Sequence, residues 1–271
     1  MISIETTLRL TAFVSGVYAI FSGLELHELR DMFKDDGIIS WKVVALSQDR
    51  ILSQLYVPLL EKFHVVIIGR MALGAVLIGF VIVGVPAWIY AVVVIPLFAT
   101  DILTRLRHTA GLSGAYDMSL VINGSLAIAL IFAGRPMVQS AALVFIAIQG
   151  IFSYSLAGIS KFVGEPWRNG EAIEMTFSTK IWGDERVYRF FDKFPWLKQP
   201  ATLGLAASET LFVLVLFVDP PIVLLFFAVG ILFHVANAVF MGINGFLYIF
   251  PATYPAIYYV SSIVGISILP L

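Results

Sequence analysis

Two long stretches of the chain carry almost no charge, and they limit the folds that it can adopt. No Asp, Glu, Lys, Arg or His occurs from Met71 to Thr100, and His234 is the only such residue from Pro220 to Leu271. Each stretch is longer than the ~20 apolar residues that one membrane-spanning helix requires. Because lipid cannot hydrogen-bond an exposed backbone, such stretches are expected to form helices. The chain is therefore predicted to be a polytopic membrane protein.

The overall composition agrees with this prediction and excludes several classes of protein. Hydrophobic residues make up 59% of the 271 residues and charged residues 13%, whereas soluble domains have about 45–50% and about 25%. A soluble enzyme and a disordered chain are therefore excluded. The formal net charge is −1, so no basic surface points to nucleic acid. The chain has no cysteine, so an iron–sulfur cluster, a disulfide and a thiolate nucleophile are also excluded.

The uncharged stretches and their breaks predict an all-α integral membrane fold, a single bundle of about eight transmembrane helices. Gly84 and Pro86 divide the first stretch, and Pro251 and Pro255 divide the second, because these residues interrupt helices. The predicted spans are 7–27, 64–84, 86–105, 115–134, 137–160, 200–218, 221–249 and 251–269. The whole chain, 1–271, is expected to form one transmembrane domain with no soluble domain.

Two segments between the spans have a mixed character. In residues 29–62 the helical spacing of six apolar residues predicts an amphipathic helix on the membrane surface. These residues are Ile51, Leu52, Leu55, Tyr56, Leu59 and Leu60. Residues 161–198 hold seven of the 17 basic residues together with Trp167, Trp182 and Trp196. Since tryptophan favours the membrane–water boundary, this second segment is predicted to be a structured interfacial loop with short helices.

The distribution of Lys and Arg predicts the orientation in the membrane. With eight spans, residues 29–62, 105–114 and 161–198 share one face and carry 14 basic residues. The excess of basic residues on cytoplasmic loops places this face in the cytoplasm and both termini outside. The predicted location is a plasma membrane of the bacterial inner-membrane type.

A few polar residues fall within the spans, where such residues usually face the interior of the bundle or water. Glu209 lies midway along the sixth predicted span, and Asp117 opens the fourth. His234 and Asn237 lie three residues apart, and therefore on one helix face, in the seventh. His234 is the only deep histidine, so haem held by two histidines is not expected, and no metal-binding motif is present. These residues either line a cavity or hydrogen-bond a neighbouring helix.

The charges at the ends of spans also have two interpretations. Asp101 and Arg105 are four residues apart, a spacing that favours an ion pair on one helix. Lys161 closes the fifth span after 25 uncharged residues. It either anchors the end of a helix or faces a cavity, where burial beside apolar groups favours the neutral amine that can act as a base.

Two short segments resemble a known family. The first, residues 153–170, ends a span with Ala-Gly-x-x-Lys161 and continues with Trp167-x-x-Gly. The second is His234-x-x-Asn237, which is followed by an aromatic stretch. Both segments resemble the horizontally transferred transmembrane (HTTM) family, which is related to the membrane region of vitamin K-dependent γ-glutamyl carboxylase. The resemblance extends over most of the chain.

The resemblance implies a particular chemistry. In the carboxylase the lysine that ends such a span deprotonates vitamin K hydroquinone, which reacts with oxygen to give the base that removes a γ proton from a substrate glutamate. Lys161 is then the candidate general base, His234 a second catalytic residue, and a quinone or hydroquinone the candidate cofactor. An intramembrane cavity for this quinol-like or lipidic ligand is also implied. Its candidate liners are Trp167, Asn237, Glu209 and Asp117.

Three functions remain open on the sequence alone. The first is a carboxylase-like or quinol-dependent membrane enzyme that acts on a peptide or small molecule. The second is a non-catalytic accessory or maturation subunit of a larger membrane complex. A transporter ranks last, because no inverted repeat accompanies the helix breaks. The expected partners are membrane lipids, other membrane subunits and a secreted peptide substrate, but no nucleic acid.

Overall fold

The computed structural model describes residues 2–47, 57–108 and 113–264. In these ranges all of the regular secondary structure is helical. The chain separates into two compact units. The N-terminal unit comprises Ile2–Ile146 with Tyr248–Ala256, and the C-terminal unit comprises Ala147–Leu247 with Ile257–Leu271, of which 265–271 lie outside the described residues. The prediction of one domain over the whole chain stays a prediction.

The N-terminal unit is built from long apolar helices with short connections. Its helices are α1 (Ile4–Glu28), α2 (Trp41–Val44), α3 (Phe63–Val83), α4 (Ala91–Arg107) and α5 (Gly114–Ile131). Ser3 caps α1, because its side chain accepts a hydrogen bond from the backbone N–H of Thr6 at 3.0 Å. At the end of α3, Gly84 has a φ of 76°, in the left-handed region that glycine adopts without strain.

Helices α1 and α3 pack closely because glycines face each other. A Cβ on Gly74 would lie 2.7 Å from the carbonyl oxygen of Gly16, and one on Gly16 would lie 3.0 Å from that of Gly74. About two turns further along α1, a Cβ on Gly23 would lie 2.4 Å from Cγ of Met71. Small residues at such crossings let two backbones approach, which is a common way to join helices in membranes.

The segment 29–62 is described only in part. A 3₁₀ turn covers Arg30–Phe33, α2 follows, and residues 57–61 are helical. Of the six apolar residues that predict an amphipathic helix, Leu59 is exposed and Leu60 is buried. The other four lie outside the described residues, namely Ile51, Leu52, Leu55 and Tyr56. The surface helix therefore stays a prediction.

The C-terminal unit contains the short helices and the last long ones. They are α6 (Pro136–Val163), which begins in the N-terminal unit, α7 (Glu165–Asn169), α8 (Glu171–Phe177), α9 (Glu185–Lys193), α10 (Lys198–Thr210), α11 (Pro220–Met241), α12 (Asn244–Ile249), whose last two residues belong to the N-terminal unit, and α13 (Tyr254–Val264), whose first three do. A 3₁₀ segment, Leu211–Phe217, extends α10. The predicted short helices of residues 161–198 are α7, α8 and α9. Gly170, with a φ of 88°, ends α7 and leads directly into α8.

Among the described residues, seven helices are long and apolar enough to cross a membrane. They are Ile4–Glu28, Phe63–Val83, Ala87–Arg107, Gly114–Ile131, Pro136–Val163, Pro195–Phe217 and Pro220–Met241. The predicted all-α membrane class is therefore confirmed. The eighth predicted span, 251–269, begins with a 3₁₀ turn and α13 and extends past the described residues. The orientation in the membrane stays a prediction.

Candidate functional site

Lys161 and Glu209 form an ion pair between α6 and α10. Nζ of Lys161 lies 2.6 Å from Oε2 of Glu209, and the two side chains are 16% and 5% exposed. A single charge held so far from water is costly, and a hydrogen-bonded partner of opposite charge offsets much of that cost. Sequence analysis selected both residues separately, but it did not predict that they pair.

Gly158 brings the two helices of this ion pair together. A Cβ at this position would lie 2.3 Å from the backbone nitrogen of Thr210 and 2.7 Å from the carbonyl oxygen of Ala206. Both atoms belong to the backbone of α10, so they cannot move aside as a flexible side chain could. Lys161 follows Gly158 by three residues and so lies on nearly the same face of α6. The glycine therefore permits the approach that lets Lys161 reach Glu209.

Trp167 provides a second contact for the ammonium group. Nζ of Lys161 lies 5.2 Å from the centroid of the Trp167 ring, within the range of a cation–π interaction. The backbone positions the ring, because the N–H of Trp167 donates to the carbonyl of Gly164 at 3.2 Å in the turn that joins α6 to α7. The Ala-Gly-x-x-Lys and Trp-x-x-Gly motifs of the sequence thus meet at one point.

A pocket of about 680 Å³ lies beside Lys161 and Trp167. Its walls come from α6, α7, α8, α9, α10 and α11, and most of its lining residues are apolar, including several phenylalanines. The lining residues are Lys161, Trp167, Ala172, Ile173, Thr176, Phe177, Arg186, Val187, Phe190, Phe191, Ala201, Thr202, Leu205, Phe233, Asn237, Phe240, Met241 and Ile243. Three of the residues selected from the sequence, namely Lys161, Trp167 and Asn237, therefore line one pocket.

Arg186 is a second cation at the pocket, and sequence analysis did not single it out. Its guanidinium carbon lies 5.5 Å from the centroid of the Phe240 ring. Its Nη2 donates to Oδ2 of Asp184 at 2.7 Å, and its Nε donates to Oδ1 at 3.1 Å. The hydrogen bond from Arg186 lowers the pKa of the Asp184 carboxyl below its usual value. Asp184 also caps α9 by accepting from the backbone N–H groups of Arg186 and Val187.

His234 lies close to the pocket in sequence but is not one of its lining residues. It is 1% exposed, and its Nε2 lies 2.5 Å from the hydroxyl oxygen of Tyr154. The Tyr154 ring stacks on Phe212 with centroids 4.1 Å apart. This environment fits the interpretation of His234 as a link between α6 and α11. Tyr154 has no distinguishing signal in the sequence, because it is one of 10 tyrosines.

Asp117 does not line this pocket. It belongs to α5 of the N-terminal unit, where its side chain is 55% exposed and lies 3.4 Å from Nη1 of Arg105. The predicted ion pair between Asp101 and Arg105 is wrong, because each residue pairs with a different partner. Asp101 is buried and pairs with Arg70 of α3. The spacing suits a pair within one helix, but Asp101 is buried and Arg105 is half exposed, so the buried Arg70 is the cation that offsets the cost of burying this carboxylate.

Arg70 is the centre of a buried polar cluster in the N-terminal unit. Its Nε donates to the Ser22 hydroxyl at 2.8 Å, and its Nη1 donates to the Thr100 hydroxyl at 3.1 Å and to the Asp101 carboxylate. The guanidinium also lies 5.4 Å from the centroid of the Tyr18 ring. Since its side chain is fully buried, these contacts replace the water that the charge has lost.

Asp101 extends the cluster to one more helix, α5. It accepts hydrogen bonds from the hydroxyl of Ser119 at 2.8 Å and from the amide of Asn123 at 2.7 Å. Ser15 of α1 donates to the amide oxygen of Asn123 at 2.6 Å. The cluster therefore joins α1, α3, α4 and α5 through polar groups that satisfy one another. It acts as a connection between helices.

The fold and the pocket define the class of protein as an all-helical membrane protein with an apolar pocket and an ion pair at its edge. Within the described ranges, no group of three His, Asp or Glu side chains is placed to hold a metal ion. No model of a known protein family, no curated protein and no solved structure matches the chain. Its function is therefore inferred from the geometry of the site and from the resemblance of its motifs.

Proposed function

We propose that the pocket of the C-terminal unit binds an amphipathic ligand of the quinol or lipid class, with the polar head of the ligand at Lys161. The observation that carries the proposal is the contrast within the pocket, where mostly apolar and aromatic walls surround a few polar groups, the Lys161 ammonium among them. A ligand pocket of this kind is mostly apolar, with a few polar groups that fix the orientation of the ligand. The volume of about 680 Å³ lies within the range of pockets that enclose one small ligand.

The ion pair supports a role for Lys161 in proton transfer. The ammonium has three N–H bonds, and its bond to Glu209 at 2.6 Å uses one of them. The others remain for a hydroxyl or carbonyl of the ligand. In the proposed reaction the Lys161 ammonium passes one proton to the Glu209 carboxylate, which leaves a neutral amine beside a carboxylic acid. The neutral amine then accepts a proton from a hydroxyl of the ligand, so Lys161 acts as the general base with Glu209 as its proton store.

The same assignment extends to the family. We propose that the chain is an HTTM-type protein related to the membrane region of the carboxylase, with a quinone or hydroquinone as the cofactor and a secreted peptide as a candidate substrate. Support comes from the placement of the matching motifs, since Lys161 and Trp167 stand together and Asn237 lines the same pocket. The proposed location is a plasma membrane, with the basic segment 161–198 on the cytoplasmic side.

The test is to identify small molecules that remain bound to the protein after gentle extraction from its own membrane. Native mass spectrometry and organic extraction would compare the wild type, Lys161→Ala and the double variant Lys161→Met/Glu209→Gln. The double variant removes both charges, so it leaves no carboxylate buried without its partner. Lys180→Met is the matched control, because Lys180 is exposed on the same segment. We expect a quinone or other isoprenoid in the wild type and the control, and its loss in the other variants.

Catalysis is tested separately from binding. A reduced naphthoquinone would be added to the purified protein, and oxygen consumption would be followed with and without a glutamate-containing peptide. We expect consumption by the wild type and its loss in the double variant. A bound isoprenoid without oxygen consumption would support ligand binding by the pocket and would exclude the role of Lys161 as a general base.

The accessory subunit is the second candidate function. The surface that a partner helix would cover in such a complex is the exposed apolar side of α11, which includes Leu224, Leu225 and Leu232. In the native mass spectrum this function requires a stoichiometric protein partner and no small ligand, in amounts unchanged by the Lys161 variants. Such a result would assign Lys161 to helix anchoring and would exclude the binding function proposed for the pocket.

A further inference from the structure

The charged groups along the pocket all have one sign. Lys161 and Arg186 are the two ionisable side chains among the described lining residues, and both are cations. Their carboxylate partners, Glu209 and Asp184, are not among those lining residues. A ligand in the pocket therefore meets ammonium and guanidinium groups, whereas the compensating carboxylates are not part of the lining.

Both cations are held against the wall of the pocket and keep donors for a ligand. Lys161 lies over the ring of Trp167, and Arg186 lies over the ring of Phe240, and both rings line the pocket. Arg186 uses Nε and Nη2 on Asp184, so its Nη1 remains available. The ammonium of Lys161 keeps two N–H bonds after its bond to Glu209. These donors suit a carboxylate or a phosphate, which accept several charge-assisted hydrogen bonds at once.

We infer that the pocket selects a single-chain amphiphile with an anionic head, a carboxylate or a phosphate monoester, in preference to a neutral head of the same chain. This inference rests on the proposed function, because it concerns the same pocket and takes the lipid alternative of the proposed quinol or lipid ligand. The apolar walls take one acyl or isoprenoid chain, and the volume of about 680 Å³ suits one such ligand. Lys161 and Arg186 hold the head, and Asn237 adds an amide at the same pocket.

The experiment measures quenching of tryptophan fluorescence by bromine-labelled lipids in the purified full-length protein. The probes are a dibrominated stearic acid and its methyl ester, which differ only in the charge of the head. Trp167→Phe removes the fluorophore of the pocket, so the difference from wild type isolates the signal at the site. We expect the acid to bind at least about tenfold more tightly than the ester at a pH at which it is ionised, equivalent to about 1.4 kcal/mol.

A charge variant and a matched control separate the pocket from the general positive charge of the segment. Arg186→Gln is expected to remove most of the preference for the acid. Arg189→Gln is the control, because Arg189 lies on the same helix, is as exposed as Arg186 (74% and 71%) and also pairs with a carboxylate, but is not among the lining residues. It is expected to retain the preference. Equal binding of acid and ester by the wild type, or equal effects of the two substitutions, would overturn the inference.

Competition distinguishes the two sources of the anionic head and separates this inference from the proposed function. Displacement of the brominated acid by hexadecyl phosphate, more strongly than by palmitate, assigns a phosphate head, and the reverse assigns a carboxylate. If a neutral naphthoquinone binds and the acid does not, the proposed function stands and this inference fails. If none of the probes binds, both fail.

Discussion

Replacing Gly158 by alanine tests how the ion pair is positioned. The added Cβ would lie 2.3 Å from the backbone nitrogen of Thr210, about 1 Å closer than the distance at which ordinary van der Waals contact begins. Helices α6 and α10 must therefore separate at this point. Overpacking of this kind costs roughly 1–3 kcal/mol, and the better helix propensity of alanine returns up to about 1 kcal/mol. We expect a net loss of stability of about 1–2 kcal/mol.

The separation of α6 and α10 in this variant should also weaken ligand binding in the pocket. Lys161 lies on nearly the same face of α6 as Gly158, and a hydrogen bond of 2.6 Å to Glu209 is broken by a displacement of about 1 Å. The alanine variant is therefore expected to bind the pocket ligand more weakly, even at temperatures at which it is fully folded. Loss of stability with unchanged ligand affinity would contradict the link between the glycine and the ion pair.

Thermal unfolding followed by the fluorescence of the five tryptophans measures the stability term. A change of 1 kcal/mol corresponds to a shift in Tm of about 2–4 °C in a chain of this size class. Gly204→Ala is the control, because no heavy atom lies within 4 Å of a Cβ at Gly204 in the partner helix α10. The control should unfold at or slightly above the wild-type temperature. Equal Tm values for the two variants would refute the argument from close approach.

Three further predictions concern the N-terminal unit. Gly74→Ala should lower Tm, because its Cβ would lie 2.7 Å from a backbone carbonyl of α1, whereas Gly69→Ala in the same helix meets no atom within 4 Å and should not. Arg70→Met should cost about 3–5 kcal/mol, and the double variant with Asp101→Asn should recover much of this loss in a thermal cycle, because it removes both buried charges. Burial, with a smaller effect from the adjacent guanidinium, lowers the pKa of His108 to about 4. Between about pH 6.5 and 4 the unfolded histidine takes up a proton and the folded one does not, so stability should be lost as the pH falls through this range. For this partly exposed side chain we expect a loss of about 1 kcal/mol at pH 5. The variant His108→Asn should show a weaker dependence of stability on pH.

The fold class was predictable because it depends on the amount and distribution of apolar residues. Uncharged runs longer than a bilayer crossing leave helices as the simplest solution, and glycine and proline mark where most of them end. The number of spans is less well determined, because the sequence after Pro251 contains no charged residue. Composition alone cannot distinguish a continuous span from the helix, 3₁₀ turn and helix that occupy 244–264.

Only those residues of the site that belong to short sequence motifs were predictable. Lys161, Trp167 and Asn237 were selected from two short motifs, and all three line one pocket. The pairing of Lys161 with Glu209 and the place of Arg186 depend on which helices meet, and no spacing within one helix contains that information. Asp101 shows the same limit. The predicted partner was Arg105, four residues away, whereas the observed partner is Arg70, 31 residues away in sequence.

The two buried ion pairs differ in what surrounds them, and this difference assigns them different roles. The guanidinium of Arg70 directs its donors to hydroxyls and a carboxylate of neighbouring helices, so its hydrogen bonds are satisfied within the fold. The ammonium of Lys161 has one such partner and borders an apolar pocket. Replacing both Arg70 and Asp101 by neutral residues should therefore lower stability without changing ligand binding. Replacing both Lys161 and Glu209 by neutral residues should abolish ligand binding. The cost in stability should be smaller, because this pair borders the pocket and is not packed on every side.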